Sequence, residues 1–159
     1  MVSTLFQPGN TKILGVLLLV GCSGNHGAAD KPFRVADLER FHRPGVYDTY
    51  RKSHNVWLVS NGRMLVALWA NCPSDEAGTV YDPGTAQFRC PRDASRFGSQ
   101  GLNRGTSRAN RPLERCKIEP IRGEEDGAVI AIRINPARRY RQDRNEWSQR
   151  YSLHPFDGG

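Results

Sequence analysis

Two apolar runs joined by an Asn-Gly pair restrict this chain more than any other feature of its sequence. Residues 55–60 (NVWLVS) and 63–69 (RMLVALW) are rich in β-branched and aromatic side chains, which favour strands. Asn61-Gly62 between them is a strong hairpin signal, because both central residues of a type I′ turn need a positive φ. The second run is apolar at successive positions, so we expect its strand to be covered on both faces and to lie inside a sheet.

Further short strand patterns follow along the chain. They cover residues 33–38, 85–89, 113–121 and 128–134, and turns rich in Gly or Pro separate them. The sequence holds 16 Gly and 10 Pro, which does not suit a long helical bundle. A length of 159 residues leaves room for one domain. The expected fold class is therefore all-β, built from short strands.

The first 21 residues have the pattern of an export signal. Lys12 supplies the positive charge, and residues 13–20 form an apolar run that is too short for a bilayer span of roughly 20 residues. The run ends in LVGC, which resembles the bacterial lipobox, so we expect cleavage before Cys22 and lipid on its thiol. After lipidation, residues 22–32 would form a flexible leash between the membrane and the domain. The alternative is an ordinary signal peptide that happens to contain a Cys.

Export and charge together narrow the choice of partners. The chain has a net charge of +7, and about +6 remains without the signal peptide, because Lys12 is the one charged residue in it. A basic surface can bind nucleic acid, but we expect no nucleic-acid partner for an exported protein. Anionic lipid head groups or an acidic protein are better candidates, and no small-molecule substrate is evident. The predicted location is the bacterial cell envelope, with the domain anchored to a membrane and facing the periplasm or the exterior.

Two Cys-Pro loops carry the functional argument. The first is residues 69–77 (WANCPSDEA), and the second is residues 88–97 (FRCPRDASRF). A stretch with Gly101 and Gly105 then leads to Pro112-Leu113 at the start of a predicted strand. This arrangement resembles the Rieske iron–sulfur domain, which has C-x-H-x-x-C in its first loop and C-P-C-H-G-S-x-F in its second. The resemblance implies a small antiparallel β-sandwich or barrel with two loops at one end.

The resemblance covers residues 33–134, but it fails at the ligands of one iron. A Rieske cluster has two Cys on one iron and two His on the other. Cys72 and Cys90 stand at the two Cys positions, whereas Ser74 and Asp93 stand where the His would be. The four His of the chain all lie outside the two loops: His26, His42, His54 and His154. The resemblance therefore implies a degenerate domain, and we expect no cofactor. The alternative is a [2Fe–2S] cluster that keeps the two Cys and takes oxygen ligands.

The same resemblance leads to a prediction for the thiols. Two thiolates on one tetrahedral metal lie about 3.8 Å apart, and a small shift would bring them to the roughly 2.05 Å of a disulfide. In an oxidising compartment we expect a bond between Cys72 and Cys90, and the alternative is two buried free thiols. Alternation places Cys116 on the inward face of its strand with Ile118. We expect Cys116 to act as a small apolar side chain, and its pairing with either loop Cys stays open.

The composition changes after residue 134. Residues 135–159 are rich in Arg and aromatic side chains and poor in aliphatic ones, so we expect a basic tail outside the β domain. Arg pairs with carboxylates and stacks on rings, and Trp and Tyr dominate the binding energy of many interfaces. The predicted docking residues of this tail are Arg138, Arg139, Arg141, Trp147 and Tyr151. The alternative is a tail that is merely solvated.

These features together describe a membrane-anchored lipoprotein with a degenerate Rieske-like domain. Its expected role is that of a structural or docking subunit in a membrane or periplasmic assembly. That the assembly is a redox complex follows from the resemblance alone. We do not expect an enzyme, because no Ser-His-Asp, Cys-His or phosphate-binding arrangement has support. The alternative function is electron transfer through a Rieske-type [2Fe–2S] cluster with a non-standard ligand set.

Overall fold

The computed structural model describes residues 30–105, 108–144 and 152–153. The predicted signal peptide, Cys22 and most of the leash lie outside the described residues, as do Trp147 and Tyr151. In the described part, no helix is long and apolar enough to cross a membrane. The helical elements there are α1 (Arg51–His54) and two 3₁₀ turns, Glu39–His42 and Gln142–Arg144. The strands are β1 Phe33–Val35, β2 Gly45–Tyr47, β3 Val56–Ser60, β4 Leu65–Trp69, β5 Val80–Asp82, β6 Gln87–Arg89, β7 Arg96–Gly98, β8 Arg115–Arg122, β9 Val129–Tyr140 and β10 Ser152–Leu153.

The strands form two antiparallel sheets. The larger sheet has the order β1-β9-β8-β4-β3-β2, and β10 pairs with β4 on the same edge as β8. The smaller sheet has the order β5-β6-β7. The predicted all-β, antiparallel fold class is therefore confirmed. The return strand of the predicted hairpin, β4, does lie inside the larger sheet, between β3 and β8.

Strands β3 and β4 are buried on both faces and separate two apolar cores. Leu58 and Leu65 face the first core, which β1, β8 and β9 complete. Trp57, Val66 and Phe88 belong to the second core, which lies between the larger and the smaller sheet. Each side chain of this size contributes about 1.5–3 kcal/mol when it is fully buried. Both loop Cys residues belong to the second core, so its packing positions them.

The β3–β4 hairpin turns in a different way from the prediction. Its loop is residues 61–64, and Asn61 is not among the residues with a positive φ. The Asn61 side-chain carbonyl accepts hydrogen bonds from the backbone N–H groups of Arg63 and Met64, at 2.9 and 2.7 Å. Gly62 alone uses left-handed backbone, with a φ of 88°. The type I′ prediction is wrong because the Asn61 side chain caps the turn locally and makes a longer loop stable.

The last long strand continues past the predicted end of the β domain. β9 includes Arg138 and Arg139, which the sequence pattern assigned to a separate tail. Pro136 does not end the strand, because the register of β9 with β8 shifts between Cys116 and Lys117. A Pro lacks the N–H that a regular ladder needs, and a bulge is a position where it is tolerated. The basic segment is therefore part of the larger sheet up to residue 140.

The smaller sheet sets the distance between the two Cys loops. The first loop precedes β5 and the second lies between β6 and β7. Phe88 in β6 pairs directly with Phe97 in β7, and both rings are fully buried. Thr79 ties this sheet to the larger one, since its hydroxyl accepts a hydrogen bond from the Trp57 ring N–H at 3.1 Å and donates one to the Ala70 carbonyl at 2.7 Å. The loops thus adjoin a small sheet whose inner side chains are packed in the second core.

Candidate functional site

The first Cys loop, residues 72–77, is a tight turn closed by hydrogen bonds. The Cys72 N–H donates to the Ala77 carbonyl at 2.7 Å. The Asp75 carboxylate accepts a hydrogen bond from the backbone N–H of Ala77 at 3.0 Å. The turn keeps the Cys72 side chain buried while Ser74 lies at the surface.

The second Cys loop, residues 90–95, is closed in a similar way. The Cys90 N–H donates to the Ser95 carbonyl at 2.9 Å, and Asp93 Oδ1 accepts a hydrogen bond from the Ser95 N–H at 2.8 Å. The Ser95 side chain is fully buried, and its hydroxyl accepts a hydrogen bond from the backbone N–H of Ala109 at 2.9 Å. Ser95 therefore fixes the base of the loop, and Asp93 is held in a defined orientation.

The two loops bring four side chains together. The Sγ atoms of Cys72 and Cys90 and a carboxylate oxygen of Asp93 all lie within 4.8 Å of one another. Ser74 Oγ lies 3.0 Å from Cys72 Sγ and donates a hydrogen bond to Asp93 Oδ2. The two Cys are buried, Asp93 is half-buried and Ser74 is exposed. These four residues occupy the positions that the sequence resemblance assigns to cluster ligands.

The predicted disulfide between Cys72 and Cys90 is absent, because both residues are free thiols. The Cys90 thiol points at the Asp75 carboxylate, with its Sγ 3.5 and 3.6 Å from the two oxygens. Cys72 Sγ has the Ser74 hydroxyl as its polar neighbour. Each Sγ thus has an oxygen atom at hydrogen-bonding distance, and the two Cys form no disulfide in this structure.

Burial and hydrogen bonds give Cys90 and Asp93 opposite protonation states. Burial raises the pKa of the Cys90 thiol to about 12, against backbone hydrogen bonds that lower it. Burial also acts to raise the pKa of Asp93, but hydrogen bonds from Ser74 and from Ser95 hold that pKa well below its usual range. At neutral pH a neutral thiol therefore lies beside an ionised carboxylate. A neutral thiol is a weak nucleophile, so the pair does not suit covalent catalysis.

The residues present do not fit a Rieske [2Fe–2S] cluster, since one iron of that cluster takes two imidazole ligands. Among the His that the structure describes, His54 stacks on Phe33 with ring centroids 3.9 Å apart, and His42 lies in the 3₁₀ turn after β1. Neither belongs to the group of possible ligands at the loops. Ser74 and Asp93, which the sequence resemblance places at the imidazole positions, are hydrogen-bonded to each other.

Cys116 lies apart from the other two thiols. It is fully buried in the first core together with Ile118, as the alternation of its strand predicts. Cys72 and Cys90 belong to the second core, on the other side of β3 and β4. Burial raises the pKa of the Cys116 thiol far above its ordinary value. Its pairing with a loop Cys, which the sequence left open, does not occur, since all three thiols are free.

Arg139, predicted as a docking residue, has several partners within the domain, and its guanidinium donates a hydrogen bond to the Pro136 carbonyl at 2.9 Å. Its guanidinium lies over the Trp69 ring at 4.4 Å from the centroid. It also forms ion pairs with Asp30 at 3.0 Å and with Glu114 at 3.2 Å. These contacts join the start of the described chain, the end of β4 and β9. Arg139 therefore has a structural role, whatever it contributes to docking.

The other predicted docking residues differ in their surroundings. Arg141 forms a two-pronged ion pair with Asp143, at 2.6 and 3.1 Å. Arg138 is exposed on β9. Trp147 and Tyr151 fall in a range that the structure does not describe. A docking role for this group stays a prediction.

Two residues at the loops were missed by sequence reasoning. Asp75 is half-buried, and its carboxylate accepts a hydrogen bond from the Cys90 thiol. Arg111 donates a hydrogen bond to the Pro73 carbonyl at 2.8 Å and lines a polar cavity of about 410 Å³ beside Cys72. The turn at Asp75 does have a sequence signal, because an Asp side chain often accepts a hydrogen bond from the backbone N–H two residues further on, here that of Ala77. Arg111 has none, because its contact joins residues 38 positions apart.

Comparisons with known proteins find similar chains among the solved structures. No protein-family model matches the chain, and no curated protein matches it. The chain is similar to the ferredoxin of carbazole 1,9a-dioxygenase from Nocardioides aromaticivorans IC177, at 20% sequence identity and a TM-score of 0.40. The match covers 67% of this chain and 98% of the ferredoxin.

Proposed function

We propose that this chain is a cluster-less Rieske-like domain that docks onto a protein assembly at a membrane of the bacterial cell envelope. The observation that supports it best is the hydrogen bond from Ser74 to Asp93, the two positions where the resemblance places imidazole ligands. A cluster with two irons needs four protein ligands. The loops offer two thiols and one carboxylate, and a Ser hydroxyl is a poor ligand for such an iron.

The exposed ends of the two Cys loops form the first candidate docking surface. Ser74, Pro91, Arg92 and Ala94 are exposed there, and we call these four residues the loop tip. The hydrogen bonds that close each loop fix the backbone of the loop tip. A surface that is already ordered loses less conformational entropy on binding. The loops would thus keep the shape of a cluster-binding site and use it for recognition.

The second candidate docking surface is the basic end of the chain. Arg138 is exposed at the end of β9, and Trp147 and Tyr151 follow it in sequence. With lipid on Cys22 and a net charge near +6 after export, the domain would meet anionic lipid head groups and an acidic protein partner. The composition does not distinguish the inner from the outer membrane.

The test of the cluster-less reading is an iron and acid-labile sulfide assay with a visible spectrum. The full chain is purified without oxygen after expression with an iron–sulfur assembly system. We expect no stoichiometric iron or sulfide and no visible absorption of an iron–sulfur centre. About two irons and two sulfides per chain would overturn the proposal. That result would support the alternative function, electron transfer through a cluster with a non-standard ligand set.

The docking role is tested by affinity purification from solubilised membranes of the native host. We expect Arg92→Glu, at the loop tip, to reduce the recovered partner at least tenfold. Arg63→Glu is the matched control, because Arg63 is also exposed but lies before β4, at the opposite end of that strand from the first Cys loop. Equal recovery with both variants would exclude the loop tip and leave the basic end of the chain as the docking surface.

A further inference from the structure

We infer that the two Cys loops bind one thiophilic divalent cation, with Zn²⁺ as the best match, through Cys72, Cys90 and Asp93. The three possible ligand atoms come from two loops and lie within 4.8 Å of one another. Around tetrahedral Zn²⁺, with bonds of about 2.3 Å to sulfur and about 2.0–2.2 Å to oxygen, ligand atoms lie roughly 3.5–3.8 Å apart. An ion in the middle of this group would contact all three atoms after small side-chain movements.

The chemistry of the donors selects the class of ion. Two thiolates favour a soft or borderline metal, and a carboxylate oxygen is also an accepted ligand of Zn²⁺. Mg²⁺ and Ca²⁺ are poor matches, because they prefer oxygen ligands alone. On binding, each of the two thiols gives up its proton to solvent. Two thiolates, one carboxylate and a divalent ion leave a net charge of −1 at the ligands, and the Asp75 carboxylate adds a negative charge 3.5 Å from Cys90 Sγ. The guanidinium of Arg111 is the nearby positive charge that offsets part of it.

The ligands are held in place before any ion binds. Cys72 and Cys90 are 1% and 2% exposed, so their side chains have little freedom to turn away. Asp93 accepts hydrogen bonds from the Ser95 N–H on Oδ1 and from the Ser74 hydroxyl on Oδ2. Each carboxylate oxygen keeps a second lone pair for a metal. Partners of this kind orient a ligand and tune the affinity of a metal site.

Ser74 is a positioning residue in this site. Its hydroxyl donates to Asp93 and lies 3.0 Å from Cys72 Sγ, so it orients one ligand and borders another. Ser74 is also exposed, which places the fourth coordination position on the solvent side. A water molecule would complete a tetrahedral ion there.

A bound ion would join the two loops without a disulfide. Because it would bind the folded loops more tightly than the unfolded chain, it would stabilise the fold by an amount that rises with the logarithm of its concentration. This inference does not depend on the docking role, since an ion would hold the loops in either case.

The experiment measures metal binding to the full chain, reduced and stripped of metal. Zn²⁺ alone is titrated against a chromophoric chelator, and Co²⁺ serves as a spectroscopic probe. We expect one Zn²⁺ per chain and, with Co²⁺, thiolate-to-metal charge-transfer bands together with the intense visible bands of a tetrahedral ion. Absence of stoichiometric Zn²⁺ binding, or a Co²⁺ spectrum without charge-transfer bands, would overturn the inference.

Variants then assign the ligands. We expect Cys90→Ser to weaken Zn²⁺ binding by more than about 100-fold, and Ser74→Ala to weaken it by about 10-fold, within the range for outer partners of a metal site. Cys116→Ala is the matched control, since it removes a buried thiol of the other core and should leave affinity unchanged. Undiminished binding by folded Cys90→Ser would contradict the assignment. Circular dichroism of each variant identifies any that fails to fold, and the Co²⁺ spectrum of the unaltered chain tests thiolate ligation without any substitution.

Two outcomes separate this inference from the proposed function. A chain that binds no Zn²⁺ and contains no iron refutes the metal site and leaves the docking proposal intact. A chain that contains about two irons and two sulfides refutes both, because the same thiols would then hold a cluster.

Discussion

Ala94 occupies left-handed backbone in the second Cys loop, with a φ of 57°. The Cβ of Ala makes such a conformation cost about 1–2 kcal/mol. Replacing Ala94 by Gly would remove this cost, but the entropy that Gly loses on folding costs roughly 0.5–1 kcal/mol more than that of Ala and offsets part of the stability gained. We expect Ala94→Gly to raise the free energy of unfolding by about 0.5–1 kcal/mol, which a urea titration measures.

The control for this prediction is Ala137→Gly. Ala137 is also exposed, but it lies in β9 and is not among the residues with a positive φ. We expect this change to lower the free energy of unfolding by about 0.5–1 kcal/mol, because Gly then brings only its entropic cost. A loss of stability in both variants would mean that Ala94 carries no backbone strain.

A second prediction at this scale concerns neighbouring Arg residues of β9. Arg139 stacks on Trp69 and pairs with Asp30 and Glu114, with a third of its side chain exposed. A cation–π contact at the surface contributes about 0.5–1 kcal/mol, and an exposed ion pair about 0.2–1 kcal/mol. We expect Arg139→Ala to lower the free energy of unfolding by about 1 kcal/mol, or the melting temperature by about 2–4 °C.

Arg138→Ala removes the same charge from an exposed position and should change the melting temperature by less than about 1 °C. If both variants melt like the unaltered chain but recover less partner from membranes, both residues act in docking alone. A loss confined to Arg139→Ala identifies Arg139 as a structural residue.

The sequence predicts which residues form the site where their positions within the two Cys loops determine that they meet. Cys72, Ser74, Cys90 and Asp93 meet because each has a set position in its loop and the loops are adjacent. The free state of the thiols could not be predicted in this way. One contact of these thiols joins Asp75 to Cys90 across a separation of 15 residues, and local patterns do not encode such a contact.

At the scale of elements, the bulge at Pro136 decides where the domain ends. Beyond the bulge, Arg139 pairs with Cys116 and Tyr140 with Arg115, so the end of β9 covers part of β8. Cys116 and Arg115 are both buried at that point. Removal of residues 136–159 would expose them. We therefore expect this truncation to lower the melting temperature by more than about 10 °C or to prevent folding, as measured by circular dichroism and calorimetry.

The matched control is removal of residues 145–159, which keeps all of β9. Among the described residues, this shorter truncation takes away only β10 and its pairing with Leu65 and Val66. We expect the melting temperature to fall by a few degrees. If both truncations have the same small effect, the end of β9 contributes nothing to stability and the domain ends near residue 134.

The strands differ in how well the sequence predicts them, and the reason is their length. β3, β4, β8 and the first half of β9 carry enough apolar and β-branched positions to show a pattern of their own. β2, β5 and β7 have three residues each and gain their conformation from pairing with a neighbour. The second half of β9 was not predicted, because a Pro and a run of Arg are not typical of a strand. The bulge in the pairing with β8 is what allows the strand to continue there.

At the scale of the whole molecule, the start of the described chain lies beside the first Cys loop. Asp30 bonds to Arg139, and both line the polar cavity next to Cys72 and Pro73. Eight residue steps separate Cys22 from Asp30, and a fully extended chain of that length spans at most about 29 Å. If Cys22 carries lipid, this end of the domain stays within about 30 Å of the bilayer, where a membrane-bound partner can reach the loop tip.

The last prediction tests that anchor. We expect Cys22→Ala to move the protein from the membrane fraction to the soluble fraction of the cell, because the domain then lacks the acyl chains that hold a lipoprotein stably. The unaltered chain should stay with membranes in high salt, since the attachment is apolar and not electrostatic. Ser23→Ala, one residue further on, keeps the thiol and is the control. If the Cys22→Ala variant remains on membranes and high salt releases it, the basic surface holds it there. If neither salt nor the substitution releases it, a protein partner anchors the domain and the lipid prediction is wrong.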